Sequence, residues 1–451
     1  MSRAHFHNPP MAQNIQGALP PPRTFMRALG PGLLFAGAAV GVSHFVQSTR
    51  AGADFGFGLL AVIVLANLLK YPAFAFGPHY AAATGTSLLE GYRRQGRWAL
   101  WVYLALTLCT CFTVQAVVTV VTAGIACAVL GFSYEPPKVA GLNLSAPVAM
   151  SALLMLASAL MLAAGRFKWL DRANKLLVAG LTVSTLAATL LVLPQIEWSQ
   201  PGWLPPKDAL TDRAHLVRIT ALVGWMPSAF DVSIWHSLWT LARRDDTGHR
   251  PSVRQALLDF NVGYYGTALL ALCFMAMGAG VMFHSGAKFE DNAARFGAQV
   301  VNLYAASLGE WSRPLLGLCA LSVMFSTTLT VVDGFPRALA TLVKRFGEAE
   351  REDGLATLQP RVYRGAMAVM ALGSLGILAA VPAGQFKFLV DLATTLSFLS
   401  APFFAVLNHR AVFAPWVTPE LRPGERMRWL SLAGIIFLSG FALYFLYITF
   451  A

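Results

Sequence analysis

The chain has 451 residues, of which 56% are apolar and only 12% charged, and its mean hydropathy is +0.57. Those proportions exclude an ordinary water-soluble globule. A formal charge of +12, from 34 basic against 22 acidic side chains, would indicate nucleic acid in a soluble protein, so the placement of the charges decides its meaning.

Residues 1–29 are rich in Pro, Asn, Gln and Arg and lack an apolar core of signal-peptide length; they read as a disordered cytoplasmic tail. Beyond them, a hydrocarbon layer about 30 Å thick takes roughly 20 apolar residues as a helix. Eleven runs meet that length: 30–49, 55–83, 98–131, 145–164, 174–194, 215–241, 256–284, 312–336, 362–382, 386–408 and 429–450. The stretch 292–309 reads as a shorter amphipathic helix lying at a surface. The expected fold is therefore an all-α integral membrane protein. The five cysteines, Cys109, Cys111, Cys127, Cys273 and Cys319, all fall in apolar runs, as buried free thiols do.

The basic residues set an orientation. Counting basic residues at the ends of runs with the adjoining segments, one alternating set, beginning with the N-terminus, holds 24 of them, the other set holds 8, and Lys70 and Arg218 lie within runs. By the positive-inside rule the N-terminus is cytoplasmic and, after eleven helices, the C-terminus external, in the plasma membrane, or the inner membrane of a bacterium. The charge is thus topological, and no nucleic acid is expected. Neither a P-loop nor GxSxG, HExxH or CxxC occurs, and no nucleophile and base share a recognisable spacing; an enzyme is not expected. No cofactor is expected either.

Function is sought where the spans are irregular, because non-helical backbone at membrane depth is tolerated only against protein or a water-filled cavity. The first span places Gly41, Val42, Ser43 and His44 near its middle, and the sixth contains Gly224-Trp225-Met226-Pro227-Ser228, where the proline removes a donor. Taken singly, Gly37-xxx-Gly41 is close helix contact and Pro227 a kink. As a pair five spans apart they match two inverted five-helix repeats, 30–194 and 215–408, with 429–450 as a peripheral helix. Among acids inside the membrane, Asp231 and Asp391 are candidates to face the cavity, whereas Asp259 and Asp333 are expected to pair with Arg254 and Arg337. Lys70 and His79 read as packing or interfacial groups, Lys70 able to snorkel or pair with an acid. His44 suits a metal, a proton relay or a structural hydrogen bond.

From Gly30 onward the chain resembles the natural resistance-associated macrophage protein (Nramp) family of divalent-metal transporters. The resemblance rests on Gly30-Pro31-Gly32, the Ala51–Leu60 segment AGADFGFGLL, Thr84-Gly85 and Met226-Pro227. It implies a LeuT-like inverted repeat of the amino acid-polyamine-organocation superfamily and transport by alternating access. The departures bear on the site. The family's Asp-Pro-Gly-Asn in the first span is Gly41, Val42, Ser43 and His44 here, and its Met-Pro-His is Met226, Pro227 and Ser228. The third span carries no acid from Cys109 to Leu130, with Gln115 the nearest polar substitute for the family's acidic residues.

A divalent metal cation is the first expected substrate. Its candidate site comprises Gly41, Ser43, His44, Val223, Met226, Ser228 and Asp391, with His44, Met226 and Asp391 as side-chain ligands beside carbonyls near Gly41 and Val223. His44 and Asp231 are the candidate proton carriers for a symport. The alternatives are a small organic solute held on exposed helix ends, and a non-transporting sensor or assembly protein of the same fold. The lipid bilayer is the one certain partner, and the oligomeric state is left open.

Overall fold

The computed structural model describes residues 30–132, 145–163, 167–198, 203–283, 290, 292–349 and 359–450; the N-terminal tail and the loop residues Lys138 and Lys288 lie outside them. The described chain contains helices and no strand. In order they are α1 (Pro31–Ala39), α2 (Thr49–Phe55), α3 (Leu60–Thr84), α4 (Leu88–Gln95), α5 (Arg97–Leu130), α6 (Ala146–Ala163), α7 (Phe167–Val192) and α8 (Arg213–Trp225). Then follow α9 (Asp231–Thr247), α10 (Val253–Gly278), α11 (Ala293–Leu308), α12 (Arg313–Gly347), α13 (Pro360–Ala380), α14 (Phe386–Val412) and α15 (Glu425–Phe450).

Eight of the eleven expected runs form helices that are unbroken, apolar and long enough to cross a membrane. Two of the remaining three are interrupted: α1 and α2 are joined by a π-helical segment, Val40–Ser48, and α8 and α9 are separated by residues 226–230. The third is α12, whose 35 residues exceed a span's length. Helix ends follow local chemistry. Gly85 and Gly131 close α3 and α5 in the left-handed conformation, which glycine adopts without steric cost. Ser252 and Gln255 form a capping box at the start of α10.

The first span is clamped along its length by α10. Gly32 and Gly263 let α1 and α10 approach backbone to backbone, and Gly52 and Gly278 do the same for α2. Small residues serve this purpose in membranes, where contact rather than the hydrophobic effect joins helices. The Asp259 carboxylate, from α10, accepts hydrogen bonds from Gly30 N–H at 3.0 Å and Gly32 N–H at 2.6 Å, compensating the positive end of α1. Its expected role beside Arg254 is thus overlaid by a capping one. Asp333 pairs with Arg337 as expected, at 2.7 Å.

One expectation changes with the tertiary contacts. α11 is not a free surface helix, because it packs against α5 and α12. Phe296 and Val301 are buried, and Gly297 abuts the backbone of Gly124 and Ile125. Its amphipathic pattern marks a protein-facing stripe.

Candidate functional site

The two interruptions meet at one buried cavity. Its wall includes Ala38, Val42 and Ser43 of the first span, Trp225, Ser228 and Ala229 of the sixth, Val114 and Val118 of α5, and Thr327 of α12. The volume is ≈ 30 Å³, room for about two water molecules. No carboxylate lines it. Its polar side chains are the hydroxyls of Ser43, Ser228 and Thr327 and the Trp225 and Trp235 indoles, whose N–H groups have no partner.

At the first break the helix departs from regular geometry at Gly41, where ψ is −127°. A side chain at Gly41 would meet Thr327, 2.5 to 2.9 Å away, and Thr327 itself donates to the Gly37 carbonyl at 2.7 Å. His44 Nδ1 donates to the Ala39 carbonyl at 2.6 Å, and the Ser43 hydroxyl donates to the same oxygen. His44 is wholly buried and its Nε2 has no partner. His44 is engaged through Nδ1 in that structural hydrogen bond and also interacts with the Thr267 backbone, and neither His44 nor Met226 is among the residues that line the cavity.

At the second break α8 ends at Trp225, the Met226–Pro227 peptide is cis, and α9 begins at Asp231. In a continuous helix the carbonyl of Val223 would accept from the N–H four residues on; that residue is Pro227, which has none. Met226 N–H reaches that carbonyl only at 3.4 Å, and a stronger donor comes from α3. Lys70 Nζ donates to the Val223 carbonyl at 2.8 Å and to the Gly224 carbonyl at 3.1 Å. It lies 4.9 Å from the Phe230 ring centroid and 5.9 Å from that of Phe74. Lys70 therefore neither snorkels nor pairs with an acid.

The remaining candidates are distributed rather than gathered. Ser43 and Ser228 share the cavity wall, and Met226 is wholly buried at the break. Asp391 points elsewhere: it forms an ion pair with Arg50 of α2 at 2.7 Å. Arg50 and Arg218 both approach Asp54, at 3.9 and 3.3 Å, so Asp391 belongs to a charged cluster at the far end of α2. It does not complete a shell with His44 and Met226, and among the described residues no three His, Cys, Asp or Glu side chains gather as a metal site. Asp231 is wholly buried but faces α5 rather than the cavity, with the Thr107 hydroxyl nearby and no hydrogen-bond partner for either carboxylate oxygen. Gln115 donates through Nε2 to the Thr119 hydroxyl at 2.7 Å, while its Oε1 has no hydrogen-bond partner. His79 meets the Leu421 carbonyl at 2.7 Å, away from both breaks.

Lys70 is the site residue that sequence reasoning missed. A lysine ten positions into a 25-residue apolar helix lies about 15 Å from its start, near mid-membrane. That depth was the available signal; its partners, 153 positions distant, were not.

Interrupted helices converging on a buried cavity within an all-helical bundle are the arrangement expected of a membrane transporter. The comparisons carry this further. The family model described as natural resistance-associated macrophage protein-like matches residues 32–448, and the chain belongs to that Nramp family of transporters. An uncharacterised protein of Pasteurella multocida is 35% identical over 93% of this chain and 92% of its own length. The divalent metal cation transporter MntH of Brucella suis is 24% identical over 68% of this chain and 63% of its own length. Among solved structures, a mutant of the Eremococcus coleocola manganese transporter superposes with a TM-score of 0.67 at 16% identity, covering 96% of this chain and 89% of that one. MhsT in complex with L-phenylalanine gives a TM-score of 0.60 at 15% identity, covering 92% and 98%. At those identities the two structures establish the fold.

Proposed function

We propose that this protein is a secondary active transporter that works by alternating access around the cavity between the two breaks. The observation that carries the reading is that both interrupted helices, five spans apart in the chain, contribute to one small buried cavity. Within the two five-span repeats, 30–194 and 215–408, a bundle that includes the first and sixth spans would rock against the remaining scaffold and expose the cavity to each side in turn. The orientation set by the basic loops, with the N-terminus cytoplasmic, places the Arg50–Asp391 pair on the external side and the Asp333–Arg337 pair on the cytoplasmic side.

A divalent metal cation is the substrate that the names of the MntH relatives bring to this chain. It is supported by family membership and by the Met226 thioether at the break, with His44 Nε2 as a second available donor. Proton coupling would use Asp231, a buried carboxylate without a partner, or His44. A small organic solute is a second reading, favoured by one specific observation. The carbonyls freed at the sixth-span break already hold an ammonium, and the cavity wall offers hydroxyl and indole groups rather than a carboxylate. The same fold in MhsT holds L-phenylalanine.

Uptake by proteoliposomes separates the readings. Entry of Mn2+, read by a trapped fluorescent chelator and accelerated by an inward proton gradient, supports metal symport. Absence of Mn2+ entry together with uptake of labelled small carboxylic or amino acids supports the organic solute. Protein that binds either ligand and moves neither would overturn transport and leave the sensor reading.

A further inference from the structure

Lys70 is wholly buried in the middle of α3, and among the described residues no carboxylate lies within ion-pair distance of its ammonium. An unpaired charge at that depth costs several kcal/mol unless dipoles replace its hydration. Three features do so. The Val223 and Gly224 carbonyls accept two of its three N–H groups. Those carbonyls terminate α8, so the negative end of that helix dipole points at the ammonium. The Phe74 and Phe230 rings, stacked with centroids 4.9 Å apart, present π-faces that attract a cation. Carbonyl oxygens at an interrupted helix, beside aromatic faces, form a cation site. In this protein its occupant is covalently attached.

We propose that Lys70 is the resident cation of the sixth-span break and the residue that excludes free cations from it: its ammonium holds the carbonyl position that a transported or coupling ion would otherwise need. The site is thereby made electropositive without an ion from solution. A ligand of the adjoining cavity is then selected by hydrogen bonding to hydroxyls and indoles, and a bare cation is repelled.

The role rests on the organic-solute reading of transport and counts against the metal reading, but it is tested by binding to detergent-purified protein, so either can fail while the other stands. Shortening the side chain in Lys70→Ala vacates the carbonyls, whereas Lys70→Met removes the charge and keeps the volume filled. The expected result is a lowered melting temperature in both variants. In Lys70→Ala alone, ammonium or methylammonium chloride should raise it again relative to tetramethylammonium chloride at equal ionic strength, following the logarithm of concentration as a saturated binding site requires. A residue that merely packed would give the loss without the ion-specific recovery. Mn2+ should leave the wild type's melting temperature unchanged. The proposal is overturned if Lys70→Ala responds to ammonium no more than wild type, or if wild type is stabilised by Mn2+ in a manner that Met226→Ala abolishes. The Mn2+ arm uses wild type and decides the matter even where Lys70→Ala does not fold.

Discussion

The ammonium of Lys70 donates to the carbonyl of Val223 at 2.8 Å, an acceptor whose partner in a regular helix would be residue 227, a proline without an N–H, and whose backbone donor is instead Met226 N–H at 3.4 Å. A proline in one span thus leaves a weakly bonded carbonyl that a lysine in another engages. The first break is resolved in the same manner by His44 and Ser43 at Ala39. At both breaks the protein's own side chains occupy the carbonyls that a broken helix exposes.

If the Phe230 ring stabilises that ammonium, Phe230→Leu should cost about 0.5–2 kcal/mol beyond its packing loss, and the extra cost should vanish in a Lys70→Met background. Thermal or denaturant unfolding of the four proteins of the cycle measures the coupling. Equal costs in both backgrounds would show that the ring contributes packing alone.

The Asp391 carboxylate is given to Arg50, with side-chain exposures of 20% and 7%. Asp391→Asn should therefore lower stability by about 1–2 kcal/mol, between the values for exposed and buried pairs. Any Mn2+ affinity, measured by calorimetry, should be unchanged. A tenfold or greater loss of affinity would restore Asp391 to the metal shell.

Both oxygens of the Asp231 carboxylate lack partners in a fully buried setting. Asp231→Asn keeps the shape and removes the proton site, so the folded yield and melting temperature should hold or rise. Gradient-driven uptake should lose its dependence on external pH while substrate exchange across the membrane continues. Retention of pH-dependent uptake in Asp231→Asn would exclude this carboxylate as the proton carrier.

Gly41 sits against the Thr327 side chain. Gly41→Ala should destabilise by about 1–3 kcal/mol through overpacking, and adding Thr327→Ala should recover part of the loss. Additive losses in the double variant would place the cause elsewhere.

At the other end of the bundle, the Asp333 carboxylate accepts from Arg337, from Trp239 Nε1 at 2.9 Å and from the Tyr363 hydroxyl at 2.8 Å, uniting α9, α12 and α13. Asp333→Ala should cost about 3–5 kcal/mol by stranding a buried guanidinium. A change in melting temperature of only a degree or two would contradict that.

Much of this was legible beforehand. Run lengths located the spans, and the Gly41 and Pro227 positions located the breaks to within a few residues, because a missing donor or a missing Cβ acts on the local backbone. The pairing of Asp333 with Arg337 was legible for the same reason, since four residues along a helix make one face. Asp259 and Asp391 were not. Each meets its partner on another helix, and a hydropathy pattern carries no information about which faces of two spans come together. α11 shows the same limit: its amphipathic stripe was visible, but whether lipid or protein covers it was not.

The sequence by itself determined that this is a membrane bundle with two interrupted helices and without the family's Asp at the first break, because span length, proline chemistry and residue identity are local properties. Only the tertiary structure decided what fills the breaks. Val223 and Lys70 stand 153 positions apart. A carbonyl freed in one helix and a charge stranded in another each carry a desolvation cost that neither helix can remove alone, and bringing the two together removes much of both.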